Sequence, residues 1–220
     1  MAELLLYDYW RSSAAYRVRI ALNLKAVDYQ QQSIHLLRDG GEQAQPEYRA
    51  VNPQGLVPVL QAGAHTLTQS LAIIEWLDQQ YPEPALLPAD VIGKAQARAM
   101  ALLVACDIHP LNNLRVMNWL KQKAKMADET YMRWYHHWII EGFTAFEQQL
   151  ELNHAESNCC NGENPGMADI CLIPQVYNAE RFACDLDNFP RIRKIAAYCR
   201  KLPAFEQALP ENQADAIKPA

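Results

Sequence analysis

Two serines and an arginine, Arg11-Ser12-Ser13, stand between an apolar run and the first helical pattern of the chain. The run Leu4-Leu5-Leu6-Tyr7 reads as a buried strand, and Ala14, Val18, Ala21 and Leu22 recur on one face at helical spacing. Two hydroxyls and a guanidinium therefore sit at a helix N-terminus. Free backbone N–H groups and the positive end of the helix dipole favour an anion there. A thiolate is one candidate, because a hydroxyl donor and a helix N-terminus stabilise it over the thiol. A serine in this place also commonly does no more than cap the helix. Taken alone, the stretch supports both uses.

Two later stretches complete a cradle for a peptide-like ligand. In NPQGLVPVL, residues 52–60, a Pro/Gly turn runs into a short apolar strand. Proline inside a strand costs a ladder bond, so the position predicts a cis Val57–Pro58 peptide that bends the chain toward the first helix. Val57 can then offer its backbone N–H and C=O to an extended peptide. Gln69 and Ser70 open a helix whose Ile73, Trp76, Leu77 and Tyr81 share a face, and its N-terminus suits a carboxylate next to an amine. Ser70 by itself would be a plain cap. The three sets in this order are harder to dismiss than any one of them.

The elements that must position these residues alternate. Val27 to Ser33 is a weak second strand and Glu42 to Val51 a poorly patterned helix. A hairpin turn at Ala62-Gly63-Ala64-His65 leads to a strand at Thr66-Leu67-Thr68. The order β-α-β-α-β-β-α is thioredoxin-like, and its crossovers predict parallel first strands with an antiparallel last one. Residues 82–90, PEPALLPAD, hold three prolines and form a linker. Beyond it only helical periodicity recurs, at about 90–125, 130–152, 168–183 and 190–202, with a short piece after Pro203 and a polar end expected to fray. The fold class is thus an α/β thioredoxin-like domain over 1–82, a linker over 83–90 and an all-α domain over 91–220.

Composition narrows the function. A net charge of −5 gives no reason to expect nucleic acid, and no basic run suggests a membrane surface. Charge interrupts the longest apolar runs well short of a bilayer span, and the N-terminus lacks the pattern of a secretory signal. The six cysteines, Cys106, Cys159, Cys160, Cys171, Cys184 and Cys199, form no C-x-x-C and none lies in the first hundred residues. Such spacing suits reduced thiols in the cytoplasm. Cys159-Cys160 and His136-His137 are adjacent pairs whose side chains diverge, so no metal site is expected.

The motifs YWRSSAAYRVRIALNLK (9–25), NPQGLVPVL (52–60), LTQSLAIIEWLDQQYP (67–82), ACDIHPLNNLRV (105–116) and ADICLIPQVYNAERF (168–182) span most of the chain. Together they resemble the cytosolic glutathione transferases, most closely the zeta class with its maleylacetoacetate and maleylpyruvate isomerases. The resemblance implies glutathione as cofactor, with Ser12 bonding its sulfur and Ser13 beside it. Val57 would hold the cysteinyl backbone, Gln69 and Ser70 the γ-glutamyl end, and Gln54 the glycyl end. It implies a homodimer as well. Two positions depart from the class pattern. Ala14 stands where a cysteine is common, which leaves the chemistry to Ser12 and the bound thiol. Gly166 stands where Ser or Thr commonly caps the helix before Ala168-Asp169, a place glycine tolerates.

The family reaction, isomerisation of a maleyl group, needs temporary loss of a double bond, and a thiolate supplies it by adding and leaving again. A dicarboxylate substrate calls for cationic anchors, best supplied by arginine forks. Arg11, Arg115 and Arg181 are the candidates, with Arg11 also placed at the catalytic hydroxyl. His109 and Asn112 are candidate substrate contacts, and Asp107 and Asn113 can line the cleft. Arg17 and Arg19 are assigned to structure. Glutathione conjugation to halides is a plausible side activity. A transferase-like interaction protein without catalysis is the rival reading, disfavoured by the joint presence of Ser12, Val57-Pro58 and Gln69-Ser70.

Overall fold

In β1 (Leu4–Asp8) Leu4, Leu6 and Asp8 are buried while Leu5 and Tyr7 are half-buried, the period of two that the pleat imposes. The computed structural model describes residues 3–154 and 157–217. It sets β1 between β2 (Gln30–Ser33) and β3 (Val59–Ala62), with β4 (His65–Thr68) beyond β3. β1 and β2 are parallel, pairing Leu5 with Gln30 and Tyr7 with Gln32. β3 runs antiparallel to both β1 and β4, so the parallel expectation holds for the first two strands alone. The helix between β2 and β3, α2 (Pro46–Val51), has six residues and covers about 9 Å. That is too little to return the chain along a strand, and β3 re-enters the sheet from the end where β2 left it.

α1 (Ser13–Leu24) is buried without a break from Ala15 to Leu22, and it packs against α3 (Ser70–Gln80) and α9 (Pro203–Ala208). A helix covered on all sides usually reads as apolar throughout, yet this one carries Arg17 and Arg19. Arg19 is fully buried and meets Asp8, with its Nη1 2.8 Å from both carboxylate oxygens. Its Nη2 donates to the Trp10 carbonyl at 3.0 Å and its Nε to the Ala208 carbonyl at 3.1 Å. At the other end of α1 the Lys25 ammonium bonds Asp78 and the Pro84 carbonyl, each at 2.6 Å.

The chain divides into two compact units, one running to Ala85 and resuming at Arg200, the other from Leu86 to Cys199. A single boundary near residue 90 therefore misplaces the chain's end. Besides Arg19, Asn23 Nδ2 donates to the Ala204 carbonyl, and Asp215 accepts from Trp10 N and Ser33 Oγ. The polar end is thus held through Asp215 and does not fray there.

The helical unit contains α4 (Val91–Leu102), α5 (Leu114–Gln122), α6 (Asp128–His154), α7 (Met167–Arg181) and α8 (Pro190–Cys199). One helix over 90–125 does not form. A π turn spans Leu103–Ile108 and a 3-10 turn His109–Asn112. Pro110 lacks an N–H to continue the helical ladder, and Asn113, extended at ψ 144°, recaps the chain by accepting from Arg115 N at 3.1 Å. Gly142 of α6 leaves room for Ile108, whose side chain a Cβ there would overlap. Gly166 is explained the same way, since a Cβ would lie 2.7 Å from the Leu86 carbonyl. Asp169 then organises the start of α7, its oxygens accepting from Gly166 N at 2.9 Å and Cys160 N at 2.8 Å.

Arg19→Met leaves the Asp8 carboxylate buried without its cation. Such a loss costs about 3–5 kcal/mol, to be read as a fall in unfolding free energy on urea titration, and Asp8→Leu in the same chain should restore part of it. A loss below about 1 kcal/mol, the range of exposed pairs, would show that the pair does not hold the unit together.

Candidate active site

Ser12 is the N-cap of α1, and its Oγ accepts from Ala15 N at 3.2 Å. That bond uses a lone pair and leaves the hydroxyl proton to donate. Capping and anion binding are therefore compatible in one side chain. A turn closed by Ser12 N on the Tyr9 carbonyl, 2.8 Å, delivers the residue to this position. Ser13 follows as the first helical residue, and both are half-buried. Arg11 is exposed, but its guanidinium carbon lies 4.0 Å from the centroid of the buried Trp10 ring, which limits its motion.

Val57 joins the cradle through packing. It shares a buried cluster with Tyr9, Trp10, Ile34, Tyr48 and Val59, so the turn that carries Ser12 and the turn before β3 rest on one apolar floor. The Val57–Pro58 peptide is cis, as is Glu83–Pro84. Two donors, Tyr48 Oη at 2.7 Å and Asn52 Nδ2 at 2.8 Å, fasten the Leu56 carbonyl. Gly55, at φ 62°, makes the turn between them. Gln54 N bonds Asn52 Oδ1 at 3.1 Å, and the exposed Gln54 side chain accepts from Gln69 Nε2 at 3.0 Å.

Gln69 itself has φ 69° and ψ 116°, a conformation that L side chains rarely adopt. Strain of this kind costs of order 1–3 kcal/mol and concentrates at ligand clamps. Gln69 occupies the N-cap position of α3 without a side-chain cap bond, so Ser70 is the first helical residue and not the cap. The buried Ser70 Oγ accepts from Arg17 Nη1 at 3.3 Å. Arg17 is thus a buried cation beside the α3 N-terminus, a placement that an arginine inside an apolar helical pattern does not announce.

In the helical unit, His109 Nε2 lies 3.4 Å from Asn113 Nδ2. Asn112 is buried, with Nδ2 on the Tyr135 carbonyl at 3.1 Å, and Trp134 Nε1 donates to the Leu111 carbonyl at 2.9 Å. Of the two asparagines it is Asn113 that stands next to His109. Arg115 is exposed in the first turn of α5, and Arg181 is exposed at the end of α7 with its guanidinium 4.9 Å from the Phe182 ring centroid. Cys106 is exposed and the other five cysteines are buried. Ligand atoms of Cys159, Cys199 and Asp169 come within 4.8 Å of one another. Backbone N–H groups already engage the carboxylate, and a bond to Cys159 together with burial pushes the Cys199 thiol up. The cluster packs buried thiols around a structural carboxylate.

A family model described as the glutathione S-transferase N-terminal domain matches residues 6–85. The chain is 52% identical to the probable maleylacetoacetate isomerase of Vibrio cholerae, over 98% of this chain and 100% of that protein. It resembles the holo structure of a bacterial zeta-class maleylpyruvate isomerase with a TM-score of 0.94 and 44% identity, covering 97% of this chain and 100% of that one. A maleylacetoacetate isomerase from Methylobacterium extorquens, solved with bound malonate and glutathione, matches with a TM-score of 0.92 and 36% identity over 97% and 100% of the two chains. A thioredoxin-like unit with this cradle, followed by a helical unit, is the architecture of glutathione transferases. The chain belongs to their zeta-class family of maleylacetoacetate and maleylpyruvate isomerases.

Proposed function

We propose that the chain is a glutathione-dependent cis–trans isomerase that converts maleylacetoacetate to fumarylacetoacetate. The observation that carries this reading is the start of α1, where the capping hydroxyl of Ser12 accepts from Ala15 N and keeps its proton to donate, and the preceding residue, Arg11, has its guanidinium over Trp10. Glutathione is the cofactor, as in the relative solved with it. Ser12 donates to its sulfur and, with the α1 N-terminus, favours the thiolate. Ser13 adds a second polar group at this end. Val57 takes the cysteinyl backbone, Gln54 the glycyl end, and Gln69 with Ser70 the γ-glutamyl end, where the buried Arg17 charge supports a carboxylate.

The thiolate adds to one alkene carbon, and the double-bond pair moves onto the conjugated carbonyl as an enolate. Rotation about the resulting single bond follows. The pair then returns, the carbon–sulfur bond breaks and the thiolate is regenerated, so no proton or electron is consumed overall. Arg11 and Arg181 hold the substrate carboxylates, and Arg115 adds a cation on α5. His109 and Asn113 supply polar lining, while Asn112 holds their turn through Tyr135. The likeness to a maleylpyruvate isomerase favours maleylpyruvate as second substrate, and rates on both compounds decide between them.

The finer cellular and quaternary reading follows. Six free cysteines suit a reducing compartment, the cytoplasm. Among the described residues no helix is long and apolar enough to cross a membrane. A homodimer is supported by an exposed stripe of Ile92, Ala95, Ala99, Leu102 and Cys106, spaced three and four apart along α4 and the π turn.

With glutathione bound, Ser12→Ala should raise the pKa of its thiol by about one to two units, the worth of a hydrogen bond to a charged group. Ser13→Ala should leave it in place, as read from ultraviolet thiolate absorbance against pH. Equal shifts in the two variants would remove Ser12 from its role. Arg11→Met and Arg181→Met should each lower kcat/KM for the maleyl substrate about ten- to a hundredfold, with little effect on a neutral aryl halide. Equal damage to both acceptors would make these arginines structural. Light scattering should give twice the 25.0 kDa chain mass, and Ala99→Arg should give the single mass. A monomeric unaltered chain would sink the dimer.

A further inference from the structure

Three contacts converge on Phe182, the residue that closes α7. Its ring lies 4.1 Å from that of Tyr135, centroid to centroid, with 34° between the planes. Its carbonyl oxygen is 2.7 Å from His136 Nε2, which must carry the proton there because a carbonyl only accepts. The guanidinium of Arg181 stands over the same ring at 4.9 Å. Tyr135 is seated in turn by Asn178, whose Nδ2 donates to its hydroxyl at 2.5 Å, and by Asn112 on its carbonyl. Burial pushes the Tyr135 hydroxyl pKa up, while the Asn178 bond and the Arg181 charge oppose the rise, so the cation's field reaches this seat.

We propose that Phe182, stacked on Tyr135 and pinned by His136, is the positioning residue that holds the Arg181 guanidinium ready for a substrate carboxylate. The inference rests on the reading of Arg181 as a carboxylate anchor. An exposed arginine samples many rotamers, and a carboxylate that captures it must stop that motion. An aromatic face beneath the guanidinium limits the sampling in advance, so less affinity is lost on binding. Preference for dicarboxylates over neutral acceptors then depends on the α6–α7 junction as well as on the arginine. Phe182 touches no reacting atom and acts only through its neighbour.

The test is a cycle on the glutathione-loaded enzyme. Phe182→Leu keeps apolar volume and removes the ring. It should raise KM for the maleyl substrate about two- to tenfold. Turnover number, glutathione KM and the rate with chlorodinitrobenzene should stay near their original values. Phe182→Tyr, which keeps the aromatic face, should restore KM. In an Arg181→Met chain, Phe182→Leu should have no further effect on KM. If it raises KM there by its full factor, or if it leaves KM unchanged while Arg181→Met raises it, the positioning role is overturned and the anchor survives. If Arg181→Met itself leaves KM unchanged, the anchor reading fails and takes the inference with it. Should Phe182→Leu fold poorly, His136→Leu removes the donor to the Phe182 carbonyl and reads the same split, with His136→Gln as the rescue. Proportionate loss on both acceptors and in the unfolding midpoint would mark Phe182 as packing alone.

Discussion

The buried pair Asp8–Arg19 is the constraint on which the N-terminal unit depends. Taking two charges out of water carries a penalty of several kcal/mol per ion unless every donor and acceptor is met. Here the demand is satisfied from five parts of the chain. Arg19 on α1 reaches Asp8 at the end of β1, the Trp10 carbonyl in the following turn and the Ala208 carbonyl on α9. Asp8 also accepts from Tyr9 N at 2.6 Å and Gln31 Nε2 at 3.0 Å. Because Arg19 and Asp8 have almost no water to fall back on, the turn at Tyr9–Ser12 has little freedom. The Arg11–Trp10 stack and the Ser12 cap inherit that rigidity, and the proposed thiolate site rests on both.

The rest of the cradle is built by different means toward the same end. Packing of Tyr9 and Trp10 against Val57 sets the middle, and the Gln54–Gln69 and Arg17–Ser70 bonds set the far side. Gln69 is held in a left-handed conformation between a strand and a helix. A single strained residue of that kind survives only where neighbours over-determine it. The start of α3 consequently presents its N–H groups without a competing side-chain cap. A ligand carboxylate can take the place such a cap would have filled.

The helical unit shows the same economy of polar groups. Asp169 ties the Cys160 loop to the first turn of α7, and burial pushes its carboxyl pKa up while the Gly166 and Cys160 N–H groups pull it down. At the other end of α7, Tyr135 joins the turn carrying His109 to the residues around Arg181. One buried aromatic thus serves two groups assigned to the substrate. A substitution at its ring would disturb both through packing, without touching either.

Much of this was legible in residue types and spacing. Period-two and period-3.6 patterns located the strands and most helices, Pro58 marked the cis bond, and Arg-Ser-Ser, Val-Pro and Gln-Ser in order suggested the cradle that is proposed. Those signals are local, since capping, turn chemistry and amphipathicity act over a few residues. What the chain order could not decide were the long-range pairings. The antiparallel entry of β3, the return of the segment after Arg200 to α1, and the break of one long helical pattern at Leu103–Asn112 depend on partners far away in sequence. The same holds for Arg17 and Arg19, whose burial contradicts the usual fate of a charge, and for Phe182, an ordinary apolar residue until Tyr135 and Arg181 meet at its ring. Residue types determined which chemistry the protein carries. Tertiary structure decided which charges are buried and which are left to meet a ligand, because desolvation is a property of the surroundings and not of the residue.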